Sequence, residues 1–251
     1  MIFSFILSSR TFLKVNRSST AMPIYTFTAT VLENKKLTSD VIFLSLSTPK
    51  DFSFKAGQFV TVKIEKGEEF RLKSYSLLSP PSQKGKIDMC IKIVDGGFAS
   101  EVLKKAKKGD SFQVKGPLGH FVFEEDDENK ETWLIGGGTG VAPLYCMLKE
   151  HLADVKNKKF VLIFSVREKK DLFLHEELEE LAKKHKHFTY IPTLTREKWS
   201  GAIGRVQEHL PADTENKTFY ICGLKELVLE TKEVLLKKGA ILKHVKSERY
   251  S

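Results

Sequence analysis

Cysteine is scarce in this chain: Cys90, Cys146 and Cys222 stand far apart among 251 residues. An odd, widely spaced set argues against a disulfide framework and fits a reducing compartment. It also excludes a four-cysteine iron–sulfur cluster within these residues. The seven histidines form no HExxH spacing and no paired Cys/His spacing, so no metal site is expected. Long apolar runs are missing as well. The longest are strand-sized, too short to span a bilayer, and no stable membrane insertion is expected. No acidic residue precedes Glu33. Residues 1–21 combine serines with Arg10, Lys14 and Arg17, a composition that fits either an organelle transit peptide or a disordered extension ahead of Met22. The expected location is cytoplasmic, or a mitochondrial or other organelle matrix if that stretch is a transit peptide. A secretory signal is disfavoured because no positive charge precedes the apolar stretch.

What the chain has in excess is lysine and arginine, 41 against 32 acids, for a formal charge of +9. Such an excess suits an acidic partner, and equally a lysine-rich solvated surface. The runs "LKKAKKGD" and "LAKKHKH" lie at the ends of amphipathic segments, as solvated helix faces do. No nucleic-acid motif accompanies them, and no nucleic-acid partner is expected.

The hydrophobic period divides the chain. Up to about residue 124 it is mostly two: Ile42, Leu44 and Leu46 share a face, as do Val60, Val62 and Ile64, and Met89, Ile91 and Ile93. Turn residues punctuate these runs. One helix is expected there, in "GFASEVLKKAKKGD", with Ala99, Val102, Leu103 and Ala106 on one side. The pattern predicts a small antiparallel barrel over 22–124 with one capping helix. The acidic "EEDDENKE" marks the boundary. From 131 to 251, continuously apolar runs such as "FVLIFSV" and "TFYIC" read as strands buried on both faces. They alternate with helices expected to begin at Pro143, at Asp171 as N-cap, and around Leu227, the last closing at Gly239. That alternation predicts an α/β domain with a parallel sheet.

"LIGGGTGVAP" joins one such strand to a helix. Gly136, Gly137, Gly138 and Gly140 would leave backbone N–H groups free at the positive end of the helix, a cradle for a phosphate, although a plain strand–helix turn is the simpler alternative. No Lys-Ser/Thr follows, which excludes the ATP-binding P-loop, and Val141 breaks the GxGxxG spacing.

The motif is one of an ordered set: "KSYSLLSPP", "DGGFAS" followed by "KGPLGHF", "GGGTGVAP" and "FYICG". This order, over residues 23–251, resembles the ferredoxin–NADP reductase family, which implies an FAD-binding barrel followed by a nicotinamide-nucleotide domain. The resemblance implies that Lys73, Ser74, Tyr75 and Ser76 line the flavin, with Lys73 where the family usually has arginine. A lysine keeps the charge for a diphosphate but lacks the bidentate fork. It implies that Ile91, Lys92 and Ile93 run beside the flavin, Lys92 being equally an ordinary outward-facing residue. Gly96, Gly97, Phe98, Ala99 and Ser100 would wrap the flavin diphosphate. Gly137, Gly138, Thr139 and Gly140 would hold the nicotinamide nucleotide. Cys222 and Gly223 would border the hydride path, Cys222 positioning rather than attacking, or serving simply as a small buried hydrophobe. Tyr250 would shield the flavin and Glu248 support electron transfer, unless the tail is frayed. Ser76, Cys222 and Glu248 are the catalytic candidates. Arg167, Arg196 and Arg205 resemble a clamp for the 2′-phosphate of NADP(H), while Glu168 leaves NAD(H) open.

The implied activity is FAD-dependent electron transfer between NAD(P)H and a separate one-electron carrier, an acidic ferredoxin or flavodoxin, by a monomer. Two alternatives stay open. One is the reductase component of an oxygenase, or a free flavin or ferric reductase. The other is a non-catalytic dinucleotide-binding regulatory subunit.

Overall fold

The computed structural model describes residues 23–125, 127–155 and 157–250. The expectations for residues 1–21 lie outside it. The first half is a curled, wholly antiparallel six-stranded sheet. Its strands are β1 (Tyr25–Lys36), β2 (Val41–Ser47), β3 (Phe59–Lys66), β4 (Glu69–Ser76), β5 (Lys86–Lys92) and β6 (Ser111–Leu118), in the order β4-β3-β6-β1-β2-β5. Strand β1 serves both halves of the curl: residues 25–30 pair with β6, and beyond an irregularity at Val31/Glu33 the rest pairs with β2. The period-two triples fill the interior, with Val60, Val62 and Ile64 fully buried beside Leu44, Leu46 and Met89. Each such side chain contributes roughly 1.5–3 kcal/mol relative to exposure. β4 and β5 are the two edges.

The capping helix α1 (Phe98–Leu103) is shorter than its pattern predicts. The amide of Asn34, on β1, donates to the carbonyls of Leu103 and Ala106, both at 2.8 Å, so a side chain from another element takes up the final carbonyls and ends the helix.

The second half is a parallel sheet in the order β10-β9-β8-β7-β11-β12, formed by β7 (Glu131–Gly137), β8 (Lys159–Val166), β9 (Phe188–Leu194), β10 (Ala202–Ile203), β11 (Lys217–Leu224) and β12 (Val245–Tyr250). Three longer helices flank it: α2 (Val141–His151), α3 (His175–Lys184) and α4 (Lys225–Lys237). Helix α2 starts two residues before Pro143. Helix α3 starts four after Asp171, whose carboxylate instead accepts the Glu168 N–H and caps a short 3-10 turn. Phe173 then plugs into the core against Phe164, 5.4 Å between rings, which keeps the intervening loop off the helical path. Gly239 ends α4 as expected, with φ +93°.

The two faces of the parallel sheet belong to different cores. Ile135, Ile163, Phe219 and Ile221 pack with Val228 and Leu235 of α4. Leu134, Leu162, Tyr220 and Cys222 join a core continuous with the barrel interior. Side-chain alternation along β11 therefore delivers Cys222 to the barrel side.

Candidate functional site

The C-terminal ends of β7, β11 and β12 meet the end of β4. Cys222 lies beside Glu248 in the parallel register, and Leu224 beside Tyr250, so Glu248 and Tyr250 come forward on one face. Ser76, at the last position of β4 and buried, donates its hydroxyl to Glu248 Oε2 at 3.2 Å. This bond joins the barrel to the final strand. Burial pushes the Glu248 carboxyl up, and the Ser76 donor partly offsets it. Burial, reinforced by the charge of Glu248, pushes the Cys222 thiol well above its ordinary value. Cys222 is thus a neutral thiol and not a thiolate nucleophile. Tyr250 is half-buried and packs against the common core, so the tail is not frayed.

The glycine turn closes the same space. Gly138–Gly140 form a 3-10 turn leading straight into α2, where the Val141 N–H donates to the Gly138 carbonyl and Pro143 has no N–H to offer. A Cβ on Gly140 would lie 2.4 Å from the Cys222 carbonyl oxygen, so glycine there answers a close approach between two backbones. Gly138 has φ +53°, and a Cβ there would meet nothing within 4 Å. The turn therefore combines a protein packing demand at Gly140 with an open side at Gly138.

On β4, Arg71, Lys73 and Tyr75 pair with the buried Ile64, Val62 and Val60, which puts all three on one side of the edge strand. Lys73 is exposed, Tyr75 is half-buried, and burial pushes the Tyr75 phenol up to about 12. The Arg71 guanidinium lies 4.7 Å over the Phe98 ring, at the start of α1. A row of two cations and a tyrosine thus runs from α1 to Ser76. Arg71, two residues from Lys73 along an extended strand, shares its side as that spacing requires. Ser74 points the other way, its hydroxyl 3.3 Å from that of Thr61, so only its backbone faces the row.

Several expected positions around 91–100 are otherwise engaged. Ile91 is buried in the barrel, because Ile87, Met89 and Ile91 point inward on β5 while Asp88 and Cys90 point out. The N–H of Ile93 donates to the Asp40 carbonyl at 2.7 Å. The Lys92 ammonium pairs with the Asp40 carboxylate. Burial alone would raise the Asp40 carboxyl, but Lys92, with Thr38 and the more distant Arg167, holds it below the ordinary range. Ser100 is buried, and its hydroxyl oxygen accepts the Val94 N–H at 2.9 Å, which braces the loop and leaves the O–H able to donate. Ala99 is buried as well. Gly96, with φ +70° and open space at its Cβ position, and half-buried Gly97 and Phe98 form the accessible lip.

Arg167 and Arg196 are adjacent and exposed at the ends of β8 and β9, where the Arg196 N–H donates to the Arg167 carbonyl at 3.0 Å. Arg205 is instead paired with Glu230 of α4 at 2.7 Å. Glu168 bonds Lys170, which lowers its carboxyl, and it also feels Arg196.

The donor set fits two nucleotides. Arg71 and Lys73, neither with a carboxylate partner among the described residues, stand beside the open Gly96 lip, as a diphosphate requires. The open Gly138 side of the turn, at the N-terminal end of α2, leaves room for a second anion.

Comparison with known proteins agrees with this division. Residues 28–123 match the oxidoreductase FAD-binding domain, and residues 134–233 the oxidoreductase NAD-binding domain. Ferredoxin–NADP reductase B of Sorangium cellulosum is 31% identical over 214 residues, 80% of this chain and 87% of that protein. The phenol hydroxylase P5 protein of Acinetobacter pittii is 27% identical, over 89% of this chain and 65% of its own length. The chain thus spans a little under two thirds of that relative. Among solved structures, the cytochrome P450 reductase GcoB of Amycolatopsis superposes with TM-score 0.83 at 26% identity, covering 90% of this chain and 70% of that one.

Proposed function

Since the chain belongs to the ferredoxin–NADP reductase family, we propose that it is an FAD-dependent oxidoreductase that passes electrons between NAD(P)H and a separate one-electron carrier. The observation that carries this reading is the Ser76–Glu248 bond. It brings the end of the flavin strand, residues 73–76, to the same space as Cys222 and the turn at 137–140. Two nucleotides held in those segments would meet face to face.

When bound, NAD(P)H supplies the hydride and FAD an acceptor able to release electrons singly. The chain's contribution is positional and electrostatic. Arg71 and Lys73 hold one diphosphate, and the N–H groups of the glycine turn hold the other. Tyr75 and Tyr250 supply aromatic surfaces that exclude water. Ser76 and Glu248 provide a hydroxyl and a carboxyl that share a hydrogen bond at the meeting point. Cys222, neutral, occupies space beside the nicotinamide path. Arg167 and Arg196 favour the 2′-phosphate of NADP(H), and the engagement of Arg205 by Glu230 makes that preference modest.

The partner we propose is an acidic ferredoxin or flavodoxin, supported by the charge of +9 and electrostatic steering. A second reading, reductase component of an oxygenase, is favoured by the similarity to the phenol hydroxylase P5 protein and the cytochrome P450 reductase. Purified protein is expected to be yellow and to bleach when NADPH is added without oxygen. Protein that takes up no FAD ends the proposal. Turnover with ferredoxin, flavodoxin and oxygenase components then separates the two readings.

A further inference from the structure

Two buried cysteines remain outside this account, and both lie at the boundary between the barrel and the parallel-sheet half. Cys90 points outward from β5, and its thiol contacts the Thr139 carbonyl in the glycine turn at 3.8 Å. Cys146, one and a half turns into α2, directs its thiol to the Ser79 carbonyl in the barrel at 3.1 Å. The donors run in opposite directions across one interface. Each acceptor belongs to a segment that is itself held. Ser79 accepts the Asp88 N–H on its hydroxyl at 2.9 Å, and the Leu78 N–H donates to the Asp88 carbonyl at 2.8 Å, so residues 78–79 are stitched to β5. Thr139 lies in the turn whose next residue abuts the Cys222 backbone. Between the two contacts, Met147 packs onto Gly57, where a Cβ would lie 2.4 Å from the Met147 methyl.

We propose that Cys90 and Cys146 form a reciprocal thiol–carbonyl clasp that seats the glycine turn and α2 against β5, and so sets the spacing between the two nucleotide sites. They are positioning residues. The consequence for hydride transfer rests on the redox reading above, whereas the clasp itself is a statement about the interface. Burial pushes both thiols up to about 12, so each stays a protonated donor at any physiological pH. A single S–H donor is weak. The two act from one rigid edge on the two ends of one short lever, where a displacement of about 1 Å at the reacting atoms is worth up to a hundredfold in rate.

Alanine and serine separate this role from simple packing. The two have nearly the same volume, both smaller than cysteine, and only serine keeps a donor. In the full chain, Cys90→Ala with Cys146→Ala is expected to speed amide exchange at residues 137–142 about tenfold. The limiting rate of flavin reduction by NADPH should fall about tenfold, with KM within about twofold. Cys90→Ser with Cys146→Ser should keep both quantities within about threefold of the parent. The single Cys146→Ala variant, whose parent thiol contacts the barrel rather than the turn, carries the same exchange signature at smaller size and serves if the double variant is insoluble. A packing role predicts equal damage from serine and alanine, and that result overturns the clasp. Parent-like exchange in the alanine variants overturns it too. Faster exchange in a protein whose parent form is not bleached by NADPH leaves the clasp standing and removes the redox reading.

Discussion

Along β4, Arg71 and Lys73 stand in solvent on an unpaired sheet edge, and charge is what they would bring to a ligand. At 136–140 the chain is packed so closely that Gly140 lies against the backbone at Cys222, and nearby Ser76 is buried and Glu248 half-buried. In the proposed reading both regions face a nucleotide. The first is electrostatic and forgiving of shape, while the second is steric and unforgiving. Anchoring a diphosphate needs cations within reach, which a solvated edge supplies. Bringing two rings together needs backbone placed to a fraction of an ångström, which only a packed interior supplies.

The largest expected effect lies on the packed side. Gly140→Ala forces a methyl into the Cys222 carbonyl, and neither backbone can yield cheaply. Denaturant unfolding should show a loss of about 3 kcal/mol, and flavin reduction should slow about a hundredfold. A stable, fully active Gly140→Ala protein would erase the contrast between the two regions.

A smaller effect concerns Glu248. Its carboxyl is raised above the ordinary 4.5 by burial, so the folded state holds the proton more tightly than the unfolded chain. Stability from this group is therefore complete below that value and declines as pH climbs through the folded value. Glu248→Gln should remove the decline, so its unfolding midpoint gains on the parent from about pH 4 to 7. Ser76→Ala takes away the donor to the carboxylate and should steepen the decline instead. Parallel pH profiles for all three proteins would show that Glu248 is not shielded.

The smallest effects belong to the edge. Lys73→Ala should weaken FAD retention about tenfold with little change in the KM for NADPH, read by titrating apoprotein. Lys73→Arg should retain FAD at least as well. Leu72→Thr, on the outer side of the same exposed strand, should alter stability by less than about 0.5 kcal/mol.

Much of this layout was legible beforehand. Val60, Val62 and Ile64 announce a strand buried on one side, and the apolar run from Phe160 to Val166 announces one buried on both, because solvent exposure imprints its period on the side chains. What escaped were side chains engaged by partners far along the chain. Lys92 is held by Asp40, 52 residues away, and the end of α1 by Asn34. Arg205 pairs at the surface with Glu230, 25 residues away. The side chain of Ile91 points into the barrel core.

Local pattern alone determined the antiparallel and parallel halves, since period and turn chemistry are properties of neighbouring residues. Only the tertiary structure decided that Ser76 meets Glu248, 172 residues away, and that Cys90 and Cys146 bridge the two halves. Such meetings depend on how two sheets pack, and short hydrogen bonds across that packing leave no trace in the order of residues.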